Sequence, residues 1–308
     1  MDSHQHANHF GRAFAIGIAL NLGFVLLEAF YGWKTGSLAL LADAGHNLSD
    51  VAGLVLAWAA FGAARLKPNR RHTYGWRRAS ILASFVNATV LLVAMGSLLW
   101  EASHRLQTPT TVDGFTVIWV AGIGVIINSV TAWLFVSGSE HDLNIRGAFL
   151  HMAADALVSV GVVLGGVLTL WQGWLWIDPV VSVLIALIII VGTWSLFHRS
   201  LHLLFDGVPD NLDLEEIEDC LLALPGVLAV HDLHVWAMST QENALTAHLV
   251  CEAAVDTQNV FLKQTAHAIT ERFGIEHITL QCESPEFADQ CPVCPALGAH
   301  ATNSGDNE

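Results

Sequence analysis

Basic side chains almost vanish from the last third of this 308-residue chain. From Asp206 onward only Lys263 and Arg272 remain, against many Asp and Glu, and the whole chain carries a formal charge of −15. A cationic nucleic-acid surface is thereby excluded, whereas an acidic domain that draws cations is favoured. Cysteine is absent before Cys220, and all five cysteines (Cys220, Cys251, Cys282, Cys291 and Cys294) fall in that acidic part. In a cytosolic setting they are thiols available to metal rather than disulfides. No G-x-x-x-x-G-K-[ST] occurs, so no phosphate-binding loop drives the chain, and no H-E-x-x-H marks a metalloprotease helix. The opening MDSHQHANHF is polar and His-rich and lacks the n-region and cleavage site of a secretory leader.

Apolar residues are abundant instead. They make up 53% of the chain, with a mean hydropathy of +0.50, which implies an integral membrane protein with room for a modest soluble domain. Six apolar segments are long enough to span as helices: Phe14–Trp33, Ser37–Phe61, Ala79–Trp100, Phe115–Val136, Ala148–Trp171 and Ile177–Phe197. The connection RLKPNRRHTYGWRR (Arg65–Arg78) is the most basic, and the first, third and fifth connections hold only Lys34 and Arg105. The positive-inside rule places Arg65–Arg78 in the cytoplasm, and an even number of spans puts both termini there. The Trp-rich WQGWLWIDP turn suits an outer interfacial belt.

After Phe197 the pattern turns to that of a small soluble domain. A helix is expected over Leu212–Leu224 with Asp213 as cap, then strands over Val227–Met238 and Ala244–Glu252. A helix over Val260–Phe273 and a strand over Ile278–Cys282 follow, with an irregular tail from Ser284. The fold class is therefore a six-helix membrane domain plus a cytosolic α+β domain of order αββαβ, a sheet covered by two helices. The implied division is a His-containing tail over 1–12, the membrane domain over 13–200, the αββαβ domain over 206–284 and a Cys-containing tail over 285–308.

The second segment, SLALLADAGHNLSDVAGLVLAWAAF, places Asp43, His46 and Asp50 at membrane depth. Such residues are costly there and mark function. His46 and Asp50 are four apart, so on a helix they lie about 40° apart around the axis and about 6 Å along it. In the fifth segment His151 and Asp155 repeat the spacing. Two such pairs facing each other offer an N2O2 set suited to tetrahedral Zn²⁺. Binding requires neutral imidazoles and ionised carboxylates, so metal and protons compete. Asp43, one turn before His46, could orient it. Asn21, Glu28 and Asn128 suit interhelical hydrogen bonds, and Asp178 suits a helix cap.

Together LADAGHNLSD, RGAFLHMAADALVS and VHDLHVW, with six spans and a basic second connection, resemble the cation diffusion facilitator family, in its bacterial zinc-exporting branch. The resemblance implies a homodimer in the bacterial inner membrane that exchanges Zn²⁺ for protons by alternating access, with no organic cofactor. It also implies a metallochaperone-like tail domain. It points to His46, Asp50, His151 and Asp155 as the transport site, and His46, where other members carry Asp, is associated with preference for zinc over cadmium. It further implies His231, His248 and Glu283 as cytosolic metal ligands, Cys291 and Cys294 in an adjacent site, and a charge interlock between Arg78 and Asp206. The lone C-x-x-C needs further ligands, for which His4 and His6 are candidates. His231 and His234 belong to one strand, where residues three apart point to opposite faces, so they are not expected to share a metal. Asn69 and Trp76 replace an acid and a His of some members, which argues against a metal site around His72. A membrane-bound metal sensor and an intramembrane metalloenzyme are the alternatives, and an anchor alone would not need two paired ligand sets.

Overall fold

A computed structural model describes residues 21–64, 66–139, 143–252 and 258–288. The chain divides into two compact units, residues 1–58 with 83–197 and residues 59–82 with 198–308.

The first unit is helical. Helix α1 runs through residues 21–35 and is followed by α2 (Leu38–Ala64), α3 (Ala79–Gln107), α4 (Gly114–Ser139), α5 (Leu143–Gln172) and α6 (Ile177–Leu204). Of the described helices, four are long and apolar enough to cross a membrane: Ala79–Gln107, Gly114–Trp133, Phe149–Gln172 and Ile177–Leu204. The first expected span begins outside the described residues. The helices outrun the expected spans because hydropathy ends where lipid ends, whereas backbone hydrogen bonds carry α3 and α6 seven residues further, past Trp100 to Gln107 and past Phe197 to Leu204. The core joins Phe24, Leu40, Leu91, Met95, Val117, Val162 and Ile185. Large apolar side chains such as Trp33, Trp133, Leu157, Trp171 and Val191 point outward, as expected where the solvent is lipid. Trp174 and Trp176 stack with ring centroids 5.5 Å apart in the turn before α6.

Asp178 corrects one expectation. It does cap a helix, but not its own. Its carboxylate accepts from Ser37 Oγ at 2.5 Å and from the Leu38 amide at 2.9 Å, while Ser37 Oγ accepts from the Leu40 amide. The first turn of α2 is thus secured from α6. The free amides of a helix start take whichever buried acceptor lies nearest in space. Asn128 also departs from expectation: it is fully buried, and its side-chain polar atoms have no hydrogen-bond partner among the described residues. Asn21 does bond between helices, donating to Met152 Sδ at 3.4 Å.

The second unit contains the small domain. Its elements are α7 (Leu214–Leu222), β1 (Val227–Ala237), β2 (Asn243–Cys251), α8 (Gln258–Phe273), β3 (His277–Glu283) and a turn of helix, α9 (Pro285–Ala288). Asp213 caps α7, accepting from the Glu215 and Glu216 amides. Strand β2 is central, antiparallel to β1 and parallel to β3. One sheet face packs Val230, Val235, Leu245, Ala247 and Leu249 against Ile217 and Leu221 of α7 and Ile269 of α8. Short α9 replaces the first residues of the expected irregular tail. Ser284 accepts from the Phe287 amide, and Pro285 and Glu286 suit a first helical turn.

Candidate metal centre

The duplicated i, i+4 spacing places two candidate ligands on each of two helices. His46 and Asp50 on α2 meet His151 and Asp155 on α5. His46 Nε2 lies 3.7 Å from Asp50 Oδ2 and 3.5 Å from Asp155 Oδ1, and His151 Nε2 lies 2.9 Å from Asp50 Oδ2 and 3.6 Å from Asp155 Oδ2. One ligand atom from each falls within 4.8 Å of the others. Zinc bonds of about 2.05 Å at tetrahedral angles separate ligand atoms by about 3.4 Å, close to these distances. The site is unevenly covered, since the side chain of Asp155 is 3% exposed and that of His151 is 42% exposed. Among the described residues, Asp155 Oδ2 has no hydrogen-bond donor and buried His46 Nδ1 has no partner. Asp43 does not bond to His46. It is buried and accepts from Ser159 Oγ at 3.2 Å, one turn of α5 beyond Asp155.

A second cluster lies on the sheet face away from α7 and α8. His231 pairs in register with His248, and Glu283 with Val250. His231 Nε2 is 3.1 Å from Glu283 Oε2, His248 Nδ1 is 2.7 Å from Glu283 Oε1, and Gln281 Nε2 donates to the same Oε1 at 2.8 Å. These three side chains also present ligand atoms within 4.8 Å of one another. The Glu283 side chain is only 1% exposed.

Strand β1 is not unbroken. Four residues, from His231 to His234, oppose three on β2, from His248 to Thr246, and Asp232 takes a left-handed φ of 51°. Paired residues share a face, so this bulge returns His234 to the His231 side, contrary to the alternation expected. His234 still stays out of the three-ligand group. It is exposed and pairs with Asp232 at 3.0 Å, whose other oxygen is 3.8 Å from His248 Nε2. Asp232 was visible in the HDLH run but carried no signal without the bulge. His4, His6, Cys291 and Cys294 lie outside the described residues.

Arg78 and Asp206 form an ion pair, with Asp206 at a left-handed φ of 60°. Two neighbours join them in the same unit. Arg77 Nη1 meets Glu242 Oε2 at 3.0 Å, and the Thr240 amide donates to Ser80 Oγ at 3.1 Å. His72 stacks on Trp76 with centroids 4.3 Å apart and belongs to neither metal cluster.

Comparisons with known proteins agree with this layout. Residues 14–205 match the cation efflux transmembrane domain, and residues 209–285 match the cation efflux protein cytoplasmic domain. The metal cation efflux system protein CzcD of Cupriavidus metallidurans is 37% identical over 99% of this chain and 98% of its own. The zinc transporter ZitB of Escherichia coli is 36% identical over 97% and 96%. The cadmium, cobalt and zinc/H(+)-K(+) antiporter of Bacillus subtilis is 35% identical over 87% and 88%. A solved structure of the metal-bound CzcD C-terminal domain is 39% identical over 23% of this chain and 99% of that one, with a TM-score of 0.23.

Proposed function

The chain belongs to the cation efflux (cation diffusion facilitator) family, and from that membership we propose that it exports Zn²⁺ from the cytoplasm in exchange for protons at His46, Asp50, His151 and Asp155. The family and these relatives are transporters, which sets aside an intramembrane metalloenzyme. One observation carries the reading: four ligand atoms from α2 and α5 lie within 4.8 Å of one another. Two imidazoles with two carboxylates form a borderline set that suits Zn²⁺ better than hard cations.

The chemistry supplies the exchange. An unperturbed imidazole titrates near pH 6.5, so a site open to a mildly acidic exterior favours protons over metal. Open to the cytoplasm, the same site favours neutral His and ionised Asp, and hence metal. Inward proton flow then drives zinc outward without nucleotide. The chain acts as a homodimer in the bacterial inner membrane with both termini cytoplasmic, consistent with the basic connection before α3. His231, His248 and Glu283 bind regulatory zinc, and Cys291, Cys294, His4 and His6 extend that site. Arg78 and Asp206 hold the cytoplasmic ends of α3 and α6 together.

Radiolabelled zinc flux into inverted vesicles, with and without an imposed pH gradient, tests the reading. Uptake should rise when the lumen is acid. Uptake that ignores the gradient would leave zinc transport but remove proton exchange, and no uptake at all would remove both.

A further inference from the structure

The connection from α2 to α3 carries Arg65, Lys67, Arg70, Arg71, Arg77 and Arg78, nearly half of the 13 Lys and Arg in the chain. Acids of the same unit take up the last two: Arg77 pairs with Glu242 and Arg78 with Asp206. Among the described residues no acid pairs with Lys67, Arg70 or Arg71, and all three are exposed. They are nevertheless held on a closed turn. Asn69 Oδ1 accepts from the Arg71 and His72 amides at 2.9 Å each, and the Asn69 amide donates to the His72 carbonyl at 3.0 Å. The Gly75 amide donates to the same carbonyl, at a φ of 72° that glycine takes without strain. Trp76 stacks on His72, while Leu66, Tyr74 and Trp76 stay exposed. The Thr240 amide bonds Ser80 Oγ, and the Tyr74 ring meets His277 edge-on with centroids 5.3 Å apart. The turn is thus fastened to the small domain at its α3 end.

Exposed cations on an ordered turn are open to an anionic partner from outside the unit, and their placement selects which. Arg78 is followed directly by α3, a helix long and apolar enough to cross a membrane. That brings the turn to the level of lipid headgroups, where amphipathic Trp and Tyr rings beside Lys and Arg are at home. Guanidinium groups match phosphate with two parallel hydrogen bonds, and basic clusters at the end of a membrane helix attract anionic lipid. We propose that Lys67, Arg70 and Arg71, with the rings of Tyr74 and Trp76, form a docking surface for the phosphate headgroups of anionic lipids. Lipid is favoured over the acidic domain of a second copy because exposed Leu66, Tyr74 and Trp76 suit the boundary between headgroups and acyl chains. Closure of the turn before binding lowers the entropy lost on capture. An anionic bilayer repels an acidic domain. A turn that holds headgroups and is fastened to that domain offsets the repulsion where the chain enters α3. This surface is independent of which ion the helices carry.

The full-length protein in neutral detergent is titrated with fluorescent phosphatidylglycerol and, as a neutral reference, with phosphatidylcholine carrying the same label. Phosphatidylglycerol should bind about tenfold or more tightly in low salt, and the preference should shrink as salt rises. One basic residue at an anionic surface is worth about fivefold in affinity, so Arg71→Gln should weaken phosphatidylglycerol binding by about that factor. The triple variant Lys67→Gln, Arg70→Gln, Arg71→Gln should lose the preference over phosphatidylcholine. Arg70→Lys with Arg71→Lys should retain it, which separates charge from folding. Lys263→Gln, the same loss of charge on α8, should change binding less than about twofold. A triple variant that keeps the full preference would overturn the proposal. So would equal losses from Arg71→Gln and Lys263→Gln, which would reduce the effect to overall charge. Displacement of the labelled lipid by millimolar inorganic phosphate would assign the turn to a soluble anion instead. If the triple variant leaves lipid binding intact but weakens the dimer in sedimentation, the surface meets a second copy and the lipid proposal falls.

Discussion

At the residue scale, the two carboxylates of the proposed metal site, Asp155 and Asp50, sit in different surroundings, with side chains 3% and 37% exposed. A buried carboxylate without a cation is costly, so Asp155 has the stronger need for metal or for protonated His beside it. Asp50→Ala and Asp155→Ala should each abolish zinc flux while leaving expression and gel-filtration behaviour unchanged; wild-type flux in both would remove the assignment. His46→Asp should keep four ligands, harder in character, and relax discrimination against cadmium, read as a lower zinc-to-cadmium flux ratio. In the tail domain, burial and then the adjacent Cys282 push the Cys251 thiol up to about 12. The folded state therefore retains a proton that the unfolded chain releases near pH 9. The stabilising effect is present below that pH and declines as pH rises toward 12. At neutral pH Cys251 should hold roughly a thousandfold less thiolate than an ordinary thiol and resist alkylation in a mass-spectrometric labelling experiment.

At the element scale, α2 depends on a cap that comes from 141 residues away. Asp178→Ala should cost about 1–2 kcal/mol of stability, at the upper end for caps because the site is buried. It should also weaken zinc binding, because α2 carries His46 and Asp50. Thermal unfolding in detergent reads the first effect and equilibrium dialysis the second; an unchanged midpoint would remove the capping role. This contrast shows what was legible. The H-x-x-x-D pairs follow from helix periodicity, a local property, so both halves of the site could be read from the chain. The Asp178–Ser37 contact depends on how two helices pack. The bulge at Asp232 depends on pairing with β2, and no local residue pattern announced either. The fold class was legible for the same reason as the ligand pairs, since apolar runs and the αββαβ order are set within each segment. In the basic connection, Arg77–Glu242 and Arg78–Asp206 are partly exposed pairs. A double-mutant cycle on Arg78 and Asp206 should give coupling of about 1 kcal/mol or less in stability. Coupling in transport rate, read from the same cycle, is the sharper test of an interlock, and its absence would leave Arg78 as an ordinary surface charge.

At the scale of the whole molecule, the charge distribution sets a problem that metal can solve. From Asp206 onward the chain has only Lys263 and Arg272 to offset its acids, so two tail domains brought together repel each other. His231, His248 and Glu283 converge on the sheet face that α7 and α8 leave uncovered. A dication held there removes negative charge from that face and satisfies the buried Glu283 carboxylate. Occupied sites should therefore tighten a dimer of the full-length protein, and chelation should loosen it. Raising salt should shrink the difference, because screening removes the repulsion that metal otherwise offsets. Analytical ultracentrifugation in detergent, at two salt concentrations and with or without Zn²⁺, reads all three effects. His248→Ala should leave a weakly associating dimer that no longer responds to zinc. If that variant tightens with zinc as the unmodified protein does, the metal acts elsewhere, and the sheet face is a scaffold rather than a sensor.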